Sequence, residues 1–241
     1  MIDPLLTLED VHTHIGRYHI LQGVDLAVPR GGFTVLLGRN GAGKTTTLRT
    51  IMGLWKASQG RIRFAGDEIT ARPTPDIAGA GIAYVPENMS IFAGLTVREN
   101  LLLAARGGEI DGKRLQWIFS LFPALQRFFG LAAGALSGGQ KQMLAIARAL
   151  IEPRELILID EPTKGLAPVI VANMIRAFRE VKSAGATVLL VEQNFMAARM
   201  LGDTVAVMDD GRVVHHGAMA ELAGDRALQQ RLLGLHLDQH Q

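Results

Sequence analysis

The chain has 241 residues, 48% of them hydrophobic and 20% charged, with a formal net charge of +2. That balance supports a sizeable core and excludes a disordered chain, and so small a charge without any Lys/Arg run gives no reason to expect nucleic acid as a partner. There are no cysteines, which excludes disulfides, thiol catalysis and thiolate zinc sites, and glycine at 27 positions exceeds the usual ~7%, pointing to many turns or to backbone closely approached by a ligand.

The opening MIDPLLTLED carries Asp3 and Glu9 and no basic stretch ahead of an apolar one, so no secretory signal is expected. Nothing approaches the roughly 18 uninterrupted apolar residues that span a bilayer. A soluble chain is expected, with any membrane association running through a partner. Residues 5–28 favour short strands and turns, closed by Pro29, Arg30, Gly31 and Gly32. Alternation puts His12 and His14 on one strand face, but no third metal ligand follows at useful spacing, here or around His19, His215, His216, His236 and His240.

FTVLL (33–37) is a continuous apolar run suited to a strand buried on both faces. After a Gly-rich loop, Leu48, Ile51, Met52 and Trp55 recur at a helical period. RIRFAGDEI (61–69) reads as a strand with a turn at Gly66-Asp67. From about 88 to 154 the pattern is mainly helical: VRENLLLAA, in which Thr96 and Glu99 have capping-box spacing, LQWIFSLF, and QKQMLAIARALI stopped by Pro153. Strand and helix then alternate: LILI (156–159), a helix from Pro168 to Gly185, TVLLV (187–191), the short helix NFMAARML, and a hairpin turning at Asp210-Gly211. Such alternation implies an α/β fold with a mostly parallel sheet and helices on its faces. The expectation is one unit, 1–241, with a core lobe from about 1–87 and 155–241 and an inserted helical lobe at about 88–154. Trp55 and Trp117 read as packing residues.

GRNGAGKT (38–45) matches G-x-x-x-x-G-K-S/T between a predicted strand and a predicted helix, the context that a phosphate-binding loop requires. Backbone N–H groups of Gly38, Arg39, Asn40, Gly41, Ala42 and Gly43 would cradle phosphates at the helix N-terminus, with Thr46 following. Lys44 would reach the β- and γ-phosphates and Thr45 would ligate Mg²⁺. LILID supplies the second metal ligand, Asp160, and Glu161 follows, placed to polarise an attacking water. The expected chemistry is nucleoside triphosphate hydrolysis.

LSGGQKQ (136–142) places Ser137, Gly138 and Gly139 at the start of a helix beginning near Gln140, a second anion-binding helix end in a chain with one nucleotide loop. With LSGGQ ahead of the Asp-Glu pair and a phosphate loop upstream, the chain resembles the ATP-binding subunits of ABC transporters over essentially its whole length. The resemblance implies an ABC ATPase cassette: a P-loop core, an N-terminal antiparallel β subdomain and an inserted helical lobe. It implies ATP and Mg²⁺ as cofactors and a head-to-tail dimer in which Leu136, Ser137, Gly138, Gly139 and Gln140 serve the partner's ATP. It also implies that Tyr18 stacks on adenine, ordinary packing being the alternative. Most members carry Asp where this chain has Ala167, which leaves carboxylate-mediated cross-talk between the two sites in doubt.

Two further departures follow. After TVLLV the family usually places a His that contacts the γ-phosphate, and here Gln193 stands there. Its amide can donate to phosphate but cannot gain a proton near neutral pH, so Gln193 is expected to orient the γ-phosphate and leave proton handling to Glu161. In AYVPEN, Glu87 replaces the usual Gln; it would face Mg²⁺ or its waters, or be a solvated loop residue. VPE, LAP and VEQN together resemble the branched-chain amino acid importer subgroup, and within it the smaller ATPase subunit. This implies permease subunits, a second ATPase subunit (a sister chain or another copy), and, indirectly, a periplasmic or extracellular solute-binding protein. The implied location is the cytoplasmic face of the inner membrane. Urea, amides and related polar solutes are transported within the same subgroup, and an ABC-type ATPase coupled to a non-transport process is the alternative. FAGLTVREN would line a groove for a membrane subunit or simply start a helix.

Overall fold

The computed structural model describes residues 4–234, so Asp3, His236 and His240 lie outside the described residues. In chain order the elements are β1 (Pro4–Ile15), β2 (Tyr18–Pro29), β3 (Phe33–Gly38), α1 (Lys44–Ile51), β4 (Ala57–Phe64), β5 (Asp67–Glu68), α2 (Thr74–Gly79) and β6 (Ile82–Val85). The helices α3 (Val97–Leu102), α4 (Gly112–Leu121), α5 (Pro123–Arg127) and α6 (Gly138–Leu150) follow. Then come β7 (Leu156–Asp160), α7 (Pro168–Ser183), β8 (Thr187–Val191), α8 (Phe195–Leu201), β9 (Thr204–Asp209), β10 (Arg212–Ala218), α9 (Met219–Gly224) and α10 (Arg226–Leu233). Two sheets result, an antiparallel one in the order β2-β1-β4-β5 and a six-stranded one in the order β10-β9-β3-β8-β7-β6. The second is parallel except for its edge strand β10.

The central strands show how a continuous apolar run is used. Successive side chains leave a strand on opposite faces, so an all-apolar strand feeds two cores. Val35, Ile157, Ile159, Val188 and Leu190 enter one hydrophobic cluster with α3, α6 and α7. Leu36, Leu156, Leu158, Leu189 and Val191 enter a second, shared with α1 and the antiparallel sheet. Phe33 closes the first cluster edge-to-face on Phe178, with ring centroids 6.1 Å apart.

Three expectations need correction. The first thirty residues form two twelve-residue strands rather than short ones. Polar Glu9 and Asp10 interrupt the alternation, but they sit in a bulge, with Asp10 at φ 48, and the strand resumes beyond it. Trp55 is not on α1, which stops at Ile51 because Gly53 turns the chain at φ 69, where an added Cβ would lie 2.9 Å from the Arg72 carbonyl. Helix α6 begins at Gly138, ahead of Gln140, because Ser137 caps it: Gln140 N–H donates to Ser137 Oγ (3.4 Å) and Ser137 N–H to Gln140 Oε1 (2.9 Å).

The Thr96–Glu99 spacing is a complete capping box, with Glu99 N–H donating to Thr96 Oγ1 (3.1 Å) and Thr96 N–H to Glu99 Oε2 (2.7 Å). The Thr96 bonds hold the Glu99 pKa below its usual range. A depressed folded-state pKa means that this contribution is present above the unfolded value and is lost as pH falls through the folded one. Thr96→Ala should lower the melting temperature by about 2–4 °C at neutral pH, and by less in acid, as read by circular dichroism.

Candidate functional site

Strands β3, β8 and β7 lie side by side, and their C-terminal ends deliver the three segments singled out in the sequence. Ligands in open α/β sheets bind outside those ends. At the end of β3, Gly38 has φ 149, and a Cβ there would sit 2.3 Å from the Met208 carbonyl of β9, so only glycine lets the loop leave the sheet at this point. The loop then leads into α1 through Gly43. Lys44 is buried, and its ammonium donates to the carbonyls of Gly38 (2.8 Å) and Arg39 (2.9 Å). Burial lowers its pKa, while Glu161 and Asp160 act in the opposite direction.

Thr45 and Asp160, far apart in sequence, meet here: Thr45 Oγ1 donates to Asp160 Oδ1 at 3.1 Å. Tyr84 OH reaches the other carboxylate oxygen at 3.4 Å, and burial, then Asp160, pushes the Tyr84 pKa up to about 12. Burial raises the Asp160 pKa, the Thr45 bond works against the rise, and Glu161 and Glu87 add to it. A hydroxyl beside a buried carboxylate, with two more carboxylates near, is a hard-oxygen donor set that fits Mg²⁺. Among the described residues no group of three or more His, Cys, Asp and Glu could by itself hold a metal ion.

Glu161 is buried and holds a left-handed backbone, φ 48. Such a conformation costs a non-glycine residue about 1–3 kcal/mol and collects at functional sites. Its Oε1 accepts from the Gln193 amide. The three polar residues closing β8 divide the work. Buried Glu192 takes Thr163 Oγ1 (3.0 Å) and the Gln193 and Asn194 N–H groups on one oxygen. Asn194 caps α8 by accepting from Ala197 N–H (3.2 Å). Gln193 alone turns towards Glu161. Glu87 gives one oxygen to Lys164 Nζ at 2.7 Å.

Tyr18, at the start of β2, is 61% exposed, with the Arg17 guanidinium over its ring 5.2 Å from the centroid. Ala167 is the N-cap of α7 and makes no side-chain cap bond, whereas Asp is among the residues favoured at such a position. His19 comes back across the hairpin, its Nε2 3.0 Å from His12 Nδ1 and its ring stacked 4.2 Å from His14. The residues that sequence reasoning missed are Tyr84, Thr163, Lys164 and Glu192. Glu192, next to Gln193, and Lys164, three residues after Glu161, carry a signal as charges close to the motif residues.

The sequence pattern described as ABC transporter matches residues 21–164. The high-affinity branched-chain amino acid transport ATP-binding protein BraG of Pseudomonas aeruginosa is 38% identical over 232 residues, 95% of this chain and 100% of that one. A probable branched-chain amino acid transport ATP-binding protein, LivF, of Archaeoglobus fulgidus is 35% identical, covering 90% and 93%. Among solved structures, the ADP conformation of an ATP-binding cassette of an ABC transporter superposes with a TM-score of 0.81 at 26% identity, covering 97% and 100%. A dimeric bacterial ABC transporter cassette superposes with a TM-score of 0.78 at 26% identity, covering 89% and 98%.

Proposed function

The chain belongs to the ABC transporter family as an ATP-hydrolysing subunit, and from that premise we propose that it powers an importer of branched-chain amino acids or of a related polar solute such as urea or an amide. The observation that carries this reading is the meeting of Lys44, the Thr45–Asp160 pair and the Glu161–Gln193 pair at three adjacent strand ends. The VPE, LAP and VEQN segments and the similarity to two branched-chain amino acid transport proteins support the subgroup.

In this reading Lys44 and the loop amides from Gly38 to Thr46 hold the triphosphate, and Tyr18 stacks on the adenine. Thr45 and Asp160 would hold Mg²⁺, which would supply charge neutralisation on the phosphates, and Glu87, one oxygen of which is committed to Lys164, would face the metal or its waters. Glu161 accepts the proton of the attacking water, and Gln193 fixes the carboxylate and faces the γ-phosphate. Leu136 through Gln140 serve the ATP of a second ATPase subunit, another copy or a sister chain, and permease subunits hold the pair at the cytoplasmic face of the inner membrane. A solute-binding protein acts on the far side. No described helix is long and apolar enough to cross a membrane.

The test is uptake. A host strain lacking this chain should lose energised uptake of labelled leucine or of urea, restored by the wild-type chain and not by Glu161→Gln. Unchanged uptake of every solute in the class, with ATPase activity intact, would move the chain to a non-transport role.

A further inference from the structure

Lys164 carries a charge beside the Glu161 carboxylate. It lies in the turn after β7, in which its N–H donates to the Glu161 carbonyl at 3.2 Å. The turn is anchored from beneath by the bond between Thr163 and buried Glu192. From it the Lys164 ammonium reaches two carboxylates, Glu87 Oε1 at 2.7 Å and Glu161 Oε2 at 3.0 Å. The first partner is half-exposed, at 44% for its side chain, and the second is buried, at 7%. The two contacts therefore differ in kind.

An exposed ion pair adds little to stability. The contact with Glu161 is another matter, because Oε2 is buried and has no hydrogen-bond donor. Its geometry with Lys164 is that of an ion pair rather than of a hydrogen bond, so the ammonium is the countercharge on that side of the carboxylate. The opposite oxygen is fixed by Gln193. Both contacts raise the Lys164 pKa, as expected of a cation held between two anions. Glu87 follows β6 and Glu161 follows β7, neighbouring strands of one sheet, so Lys164 joins the loops at their two ends.

We propose that Lys164 is a positioning residue for ATP hydrolysis, holding the Glu161 carboxylate in place and tying it to the loop that carries Glu87. This rests on the reading of Glu161 as the catalytic base. Without the ammonium, a buried anionic oxygen loses its compensation and the side chain swings towards water. A displacement of about 1 Å at a reacting group costs up to about a hundredfold in rate. Movement of the Glu87 loop is transmitted to the base through the same clasp.

The test is steady-state Mg-dependent ATP hydrolysis by the full chain and its Lys164→Met, Lys164→Arg, Glu87→Gln and Lys164→Met/Glu87→Gln variants. Lys164→Met should lower kcat about tenfold, with the KM for ATP within about twofold of wild type. Lys164→Arg should restore most of the rate, since a guanidinium reaches the same two carboxylates. Glu87→Gln should lower kcat less, by about threefold, and the double variant should be no slower than Lys164→Met, because two residues acting through one contact do not add. Lys164 and Glu87 are themselves half-exposed, and a melting curve of each variant separates a loss of rate from a loss of fold. Wild-type kcat in Lys164→Met, a raised KM, or multiplying effects in the double variant would each overturn the clasp while leaving the ATPase reading intact. A wild-type chain inactive on ATP would overturn both.

Discussion

Replacing Lys44 with alanine should abolish ATP hydrolysis and weaken ATP binding roughly ten- to a hundredfold. The figure follows from the roughly 1.5–3 kcal/mol that a hydrogen bond from a charged group contributes. Lys44 is buried at the N-terminus of α1 and spends its ammonium on two carbonyls of its own loop, Gly38 and Arg39. Those carbonyls are adequate partners but carry no net charge. A polyphosphate offers the same ammonium a full negative charge, so the exchange favours the nucleotide. Loss of the side chain removes that term and leaves the loop amides to bind alone. Fluorescence titration with an ATP analogue, beside a thermal melt, separates the two effects of the substitution. Wild-type affinity in a well-folded Lys44→Ala chain would mean that the triphosphate is held elsewhere.

Much of the framework was legible because it depends on local chemistry. The mainly apolar runs at 33–37, 156–159 and 187–191 read as strands buried on both faces, and each serves two clusters. GRNGAGKT announced its loop because its glycines are sterically required, as the Gly38–Met208 approach shows. What could not be read depends on residues brought together from afar. Nothing local says that Lys164 meets Glu87 or that Tyr84 reaches Asp160, since neither pair follows a period. Gln193 was assigned to the γ-phosphate from its place after β8; its amide meets Glu161, a contact that only the adjacency of β7 and β8 creates. The bulge at Asp10 hid two long strands for the opposite reason, a local irregularity that the sheet absorbs.

Glu161→Gln should lower turnover by about a hundredfold or more while leaving ATP binding intact, and the trapped chain should report which subunit completes the site. General base catalysis contributes about 10²–10⁴ in rate, and an amide cannot take the proton. The exchange is nearly isosteric, so the strained turn at φ 48 and its backbone bond to Val191 are kept. One contact changes sign: Gln193 donates to Glu161 Oε1, and a flipped amide at 161 is needed to accept from it. Lys164 loses its countercharge at 161 but keeps Glu87, so the local fold survives. In the proposed assembly, where ATP binding would close a pair and hydrolysis reopen it, a chain that binds without hydrolysing should accumulate in whatever closed state it can form. Its mass in solution with and without Mg-ATP then decides between two assemblies. An ATP-dependent dimer would mean that Ser137, Gly138 and Gly139 of a second copy complete the site and that turnover of this chain alone is meaningful. A monomer that still binds ATP would place the opposing LSGGQ on a sister subunit, and rates would then have to be measured on the pair.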